Sequence, residues 1–233
     1  QEEDIEVMSG IKFAKEYYGK DRHIGGDFID EDAPAFQEQI GSLGRAREEQ
    51  NEKICFFQDE EAYDISYEKL LEAFPDCVIT RGHYSRYLLD HGYVKSLPEA
   101  FDRYLGDHTK YFVPREKITP AQAGSLILAV KGIPVLAHPT LYHMGKDNLS
   151  SLVRHLKEAG LVALEAVYST YSAGEERQMR QLAARYGLLI SGGSDFHGKS
   201  KPGLELGTGY GKLFIPEDIL IALKKKRKEL FDV

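Results

Sequence analysis

The sequence predicts an α/β fold, in which helices cover a parallel sheet that forms either a closed barrel or a doubly wound sheet. Beyond residue 119, short apolar runs alternate with stretches of helical spacing, and consecutive αβ units of this kind build parallel sheets. The apolar runs are nearly continuous, as is typical of strands buried on both faces. Polar residues follow these runs directly. We therefore expect a functional site at the carboxyl ends of the strands.

The elements follow in order along the chain. Apolar runs over 5–8, 11–18 and 23–29, separated by glycines, predict a hairpin-like β segment at the start. Residues 34–107 show helical spacing and predict a block of short helices. After this block, the pattern predicts helices over 119–128, 148–160, 174–186 and 216–229, and strands over 133–137, 161–167 and 188–191.

Composition restricts the possible partners. The 233 residues carry 30 Lys and Arg against 37 Asp and Glu, a net charge of −7. Such a surface does not attract duplex nucleic acid at long range, so phosphate binding is expected to be local. Cys55 and Cys77 show no zinc-finger or disulfide spacing, which favours a reducing, cytoplasmic location. The apolar runs are shorter than a bilayer requires, so we expect no membrane partner.

Three strand ends carry candidate metal ligands. His138 follows the run 133–137, although a lone His-Pro pair often has a structural role. Asp195 and His197 follow the run 188–191 and are two residues apart, so on an extended chain their side chains point the same way. A carboxylate and an imidazole can bind one metal ion; the alternative is a glycine-rich turn in which Asp195 caps the next helix. His23, before two glycines in the opening β segment, is the third candidate.

Several motifs together resemble the PHP (polymerase and histidinol phosphatase) superfamily, and more narrowly its nucleotide-type branch of metal-dependent phosphoesterases. The motifs occur in order over nearly the whole chain, at residues 23–30, 80–83, 92–96, 100–105, 136–139 and 192–198. The resemblance implies a distorted (β/α)7 TIM-like barrel formed by residues 1–34 and 113–233, with its first strands missing. It also implies a helical insertion subdomain over 35–112. An intact family member would hold two or three manganese, iron or zinc ions.

The resemblance also implies roles for individual residues. The matching positions for metal ligands are His23, His138, Asp195 and His197. Arg81 and His83 match the insertion motif that binds the substrate phosphate and assists catalysis. A guanidinium suits two phosphate oxygens and an imidazole can donate to another, although Arg81 in a surface ion pair is an alternative. By their position just after His197, Lys199 and Lys201 are candidates to add positive charge near the phosphate; a purely surface location is the alternative.

The chain departs from the family pattern at its beginning. The family's first strands carry further ligands, and no residues of this sequence match them; Lys12 stands where the family has a bridging glutamate. An ammonium at this position would repel cations, so we expect at most one metal ion. These departures leave two alternatives, a fragment of a longer protein or a degenerate member that no longer performs the chemistry.

The leading hypothesis is an enzyme, a cytoplasmic hydrolase in which metal-activated water attacks phosphate monoesters or diesters of nucleotides or short oligonucleotides. A truncated or degenerate protein that binds phosphate or nucleotide without hydrolysis is the first alternative. A histidinol-phosphate phosphatase is the second, and it fits the insertion motif less well.

Overall fold

The computed structural model describes residues 6–17, 20–54, 63–75, 77–109, 111–112, 118–198 and 201–232. The chain forms two compact units. We call Gln1–Gln37 with Lys117–Val233 the sheet unit and Glu38–Glu116 the helical unit.

The sheet unit contains a five-stranded sheet in the order β1-β2-β3-β4-β5. The strands are β1 (Gly10–Tyr17), β2 (Lys20–Asp27), β3 (Ile133–Leu136), β4 (Ala163–Tyr168) and β5 (Leu189–Gly193). β2 is antiparallel to both β1 and β3, whereas β3, β4 and β5 are parallel. Consequently, the start of β2 lies beside the end of β3.

The register of the sheet divides its residues between two faces. One row across the first four strands consists of buried apolar residues, namely Phe13, Ile24, Leu136 and Leu164. Because side chains alternate along a strand, their neighbours Lys12, His23 and Glu165 all lie on the opposite face. The register therefore places these three polar residues on one face, together with the buried Val135 and Ala163. We call it the polar face.

Eight α-helices occur in the described residues. They are α1 (Pro34–Ile54), α2 (Tyr67–Ala73), α3 (Arg81–Asp90), α4 (Leu97–Ala100), α5 (Pro120–Ala129), α6 (Lys146–Glu158), α7 (Ala173–Arg185) and α8 (Glu217–Phe231). A π-helical turn, Phe101–Leu105, follows α4, and a 3₁₀ turn, Pro139–Tyr142, follows β3. α5 begins at a capping box: the Thr119 hydroxyl accepts from the Gln122 amide (3.2 Å), and the Gln122 side chain accepts from the Thr119 amide (2.6 Å).

Each unit has its own apolar core. In the sheet unit, Ile219 and Leu223 of α8 pack in one cluster with Ile133, Val135 and Ala163 of the sheet. The core of the helical unit is formed by buried residues of its helices and loops, which include Leu70, Ile79, Tyr84, Leu88 and Tyr104. Burial of these side chains is the main source of stability for each unit.

The structure confirms the mixed α/β class and the alternation of helices and strands after residue 119. The predicted strand over 5–8 is wrong at residues 6–8, which belong to no strand, while Ile5 lies outside the described residues. The sheet is mixed rather than wholly parallel because β2 runs antiparallel to its neighbours. Closure into a (β/α)7 barrel and the interpretation of 35–112 as an inserted subdomain stay predictions. Within the described ranges, the structure contains no helix with the length and apolar character needed to cross a bilayer.

We expect Ile24→Ala to lower the free energy of unfolding by about 2–5 kcal/mol, because the fully buried side chain would leave a cavity in the central row. Ile221→Ala is the matched control, since this isoleucine of α8 is 57% exposed and its truncation should change stability by no more than about 0.5 kcal/mol. Urea denaturation of both variants measures the difference. Equal losses would mean that the side chain of Ile24 does not contribute to a packed core.

Candidate functional site

The imidazoles of His23 and His138 meet at the edge where β3 ends. The amide of Ala137 donates to the carbonyl of His23 (3.0 Å), which fixes the two chain segments side by side. Nδ1 of His23 lies 3.0 Å from Nε2 of His138. The hydroxyl of Tyr142 donates to the Ala137 carbonyl (2.6 Å) and accepts from the His23 amide (3.0 Å). Backbone pairing and one tyrosine thus hold the two rings together.

His138 is buried in a strained conformation. Its φ of 30° is left-handed, which costs a non-glycine residue on the order of 1–3 kcal/mol. Its amide donates to Oε2 of Glu165 at 2.6 Å. Burial, and then the charges of Lys12 and His23, lower the pKa of His138 to about 4. The ring is therefore neutral near pH 7, and its buried Nδ1, which has no hydrogen-bond partner in the described part of the chain, is best left unprotonated.

Asp195, two residues after the end of β5, is surrounded by hydrogen-bond donors. Its carboxylate accepts hydrogen bonds from the Tyr168 hydroxyl (2.8 Å), the Lys12 ammonium (3.0 Å) and the Lys201 ammonium. Burial alone would raise the pKa of Asp195, but the hydrogen bonds from Lys201, Lys12 and Tyr168 outweigh it and hold the pKa well below its usual range. The carboxylate is therefore ionised, and each of its oxygens already contacts an ammonium.

His197 lies at the rim of this cluster. Its Nδ1 is 2.6 Å from the backbone carbonyl of Asp195 and 3.6 Å from the Asp195 carboxylate. Since a carbonyl only accepts, Nδ1 carries the proton. The side chain is 46% exposed. Lys199, which was expected to lie near the phosphate, is outside the described residues.

Two further carboxyl groups lie on the polar face of the sheet. Burial raises the pKa of Glu165 to about 7, although the hydrogen bond from the His138 amide opposes this change. Burial also raises the pKa of Asp27, at the end of β2, to about 6. Gly193 leaves room for Glu165, because a Cβ there would lie only 3.0 Å from Oε1 of that side chain. Both carboxyl groups are more easily protonated than usual.

Arg81 and His83 belong to the helical unit, where both have structural partners. One Arg81 nitrogen donates to the Leu105 carbonyl (2.8 Å) and pairs with Asp107. Nδ1 of His83 accepts from the Thr80 amide (3.0 Å) in the capping box that begins α3. The ion pair considered as an alternative for Arg81 is present. The binding of phosphate by these two residues stays a prediction.

The four predicted metal ligands form two pairs, His23 with His138 and Asp195 with His197. No group of three His, Cys, Asp or Glu residues is placed to hold a metal ion in the ranges that the structure describes. The two imidazoles offer nitrogen ligands to one ion. A divalent ion about 4 Å from the Lys12 ammonium would be repelled by about 8 kcal/mol at an effective dielectric constant of about 20. The described residues therefore do not fit a cluster of two or three ions, and one site formed by all four ligands stays a prediction.

Sequence reasoning missed the residues that complete the Asp195 cluster. Tyr168 was not singled out, although it is the last residue of β4 and strand ends were expected to carry the site. Lys12 was expected only to repel cations, whereas its ammonium contacts Asp195 across 183 residues of sequence. No local pattern identifies a contact of that range.

Known proteins resemble the chain in both sequence and structure. No family model matches it. A 5'-3' exoribonuclease of Haemophilus influenzae is 30% identical over 201 residues, which cover 84% of this chain and 72% of that protein. A 3',5'-nucleoside bisphosphate phosphatase of Chromobacterium violaceum is 26% identical over 204 residues, 87% of this chain and 72% of that protein.

A solved structure also resembles the chain. It is an amidohydrolase from Chromobacterium violaceum with bound sulfate and no metal, which matches with a TM-score of 0.69 and 25% sequence identity. The match covers 94% of this chain and 76% of the amidohydrolase. The fold of the chain is therefore that of a known hydrolase structure.

We expect Asp27→Asn to stabilise the protein at pH 8 and not at pH 4. The pKa of Asp27 is raised from 3.8 to about 6, so its contribution to stability is present below pH 3.8 and is lost as the pH rises through 6. Removing the buried charge should therefore recover up to about 3 kcal/mol at pH 8. Urea denaturation at the two pH values measures this, with exposed Asp147→Asn as the control. Equal stability of Asp27→Asn and the wild type at pH 8 would contradict it.

Proposed function

We propose, because the chain belongs to the PHP superfamily of phosphoesterases, that it hydrolyses phosphate esters of nucleotides or short oligonucleotides. Two relatives are named as an exoribonuclease and a nucleoside bisphosphate phosphatase. The observation that carries the proposal is the cluster at the strand ends. It consists of two groups, the His23–His138 pair and the carboxylate of Asp195 with the ammonium groups of Lys12 and Lys201.

The residues of this cluster suit a phosphate ester. Lys12 and Lys201 provide point charges that bind anionic oxygens. The pair of imidazoles can hold one manganese, iron or zinc ion, which would polarise a phosphate oxygen and activate water when bound. His138 is held neutral by burial, as a metal-binding imidazole must be. In the barrel that the family implies, these groups would lie at the carboxyl-end face.

A second candidate is binding of a nucleotide phosphate without hydrolysis. The ion pair between Lys12 and Asp195, at 3.0 Å, favours it because the only carboxylate among the predicted ligands is neutralised. Turnover distinguishes the two candidates.

The function is tested by phosphate release from a nucleoside 3',5'-bisphosphate, a short 5'-phosphorylated oligoribonucleotide and histidinol phosphate, each with Mn²⁺, with Zn²⁺ and with EDTA. We expect turnover of the nucleotide substrates, on the order of 1 per second, and none of histidinol phosphate. His23→Ala should abolish the metal-dependent activity, whereas His155→Ala, at an exposed position of α6, should not. Binding of the nucleotides without any turnover would select the second candidate.

We expect Arg81→Ala to reduce kcat/KM for the nucleotide substrate by about 30- to 1000-fold, corresponding to about 2–4 kcal/mol for a lost charge-assisted phosphate contact. This expectation rests on the match of Arg81 to the family's phosphate-binding motif. Asp107→Asn is the control, because it removes only the ion-pair partner of Arg81. If both variants lose activity equally, Arg81 has the structural role alone.

A further inference from the structure

Two ammonium groups contact the one carboxylate of Asp195. Nζ of Lys12 lies 3.0 Å from Oδ1, and Nζ of Lys201 contacts Oδ2. The Asp195 side chain is only 11% exposed, while those of Lys12 and Lys201 are 35% and 39% exposed. The carboxylate thus lies beneath two partly accessible cations.

The sheet fixes the place of the Lys12 ammonium. Lys12 pairs with Gly25, two residues from His23, so its side chain shares the polar face of the sheet with His23. Lys12 therefore shares a face of the sheet with His23, while its ammonium contacts Asp195.

The net charge of the cluster formed by Lys12, Lys201 and Asp195 indicates which ligands it attracts. Lys12, Lys201 and Asp195 together carry one positive charge, so the cluster attracts anions and repels divalent cations. A carboxylate in place of Lys12 would give the same three positions one negative charge and reverse this preference.

We propose that the Lys12 ammonium takes the place of a divalent ion beside Asp195 and itself binds an oxygen of the substrate's phosphate group. Asp195 orients the ammonium, and Lys201 adds a second positive charge. The proposal rests on the proposed function for the identity of its ligand, a phosphate monoester. In this proposal, the side chain of Lys12 binds the phosphate oxygen that a second metal ion would otherwise bind.

Metal binding provides the first test. After dialysis against EDTA, the wild-type chain, Lys12→Glu and Lys157→Glu are titrated with MnCl₂ by calorimetry, and their metal content is measured by mass spectrometry. We expect at most one bound ion in the wild type. Lys12→Glu should gain one equivalent or bind at least about tenfold more tightly. Lys157→Glu makes the same charge change at an exposed position of α6 and should behave like the wild type.

Phosphate binding without metal provides the second test. In EDTA, inorganic phosphate should bind the wild type, and Lys12→Met should weaken it by at least about tenfold, as expected for a lost charge-assisted contact. Two or more tightly bound Mn²⁺ ions in the wild type would overturn the proposal, and so would phosphate binding that is unchanged in Lys12→Met. If Lys12→Glu fails to fold, the wild-type stoichiometry and Lys12→Met still decide.

These measurements need no turnover, so the two proposals fail separately. If the chain shows the expected binding but hydrolyses no nucleotide, the proposed function is wrong and the assignment of Lys12 stands. If the chain hydrolyses nucleotides and binds two metal ions, the proposed function stands and the assignment of Lys12 is wrong.

Discussion

Ile24 of β2 faces Phe13 of β1 on one side and Leu136 of β3 on the other, and this apolar row fixes the register of the sheet. Because strand side chains alternate, a shift of one residue in β1 and β2 would move Lys12 and His23 onto the face where this row packs. That exchange is costly, since an unpaired buried charge is far less favourable than a buried isoleucine. The placement of the polar site therefore depends on the packing of the face that does not contain it.

The site contains strained backbone at two residues that follow strands of the sheet. His138 and Asp195 both follow strands, and both have positive φ values, 30° and 57°. Left-handed backbone at a non-glycine residue persists only where the surroundings hold it. Here the holding contacts are the bond from the His138 amide to Glu165 and the three donors on Asp195. These two turns change the chain direction after the strands and so orient the imidazole of His138 and the carboxylate of Asp195.

The sequence predicted the parts of this site that depend on local order. His138 and Asp195 were found because each follows an apolar run, and the structure has strands at both runs. The contact between His23 and His138 was not predictable in detail, because it depends on antiparallel pairing across 115 residues. The hydrogen bond from Tyr168 to Asp195 also joins two strand ends. Such contacts follow from strand order, which periodicity does not reveal.

Lys12 shows how a single strand position can determine the ligand class of a whole cluster. The surrounding groups, two imidazoles and a carboxylate, are ordinary metal ligands. With an ammonium 3.0 Å from the carboxylate, the same groups lose their attraction for a second divalent ion because Coulomb repulsion acts at short range in a partly buried site. They retain attraction for a phosphate, whose charge has the opposite sign. The fold can therefore keep the substrate preference of its family while one side chain alters the means by which the phosphate is bound.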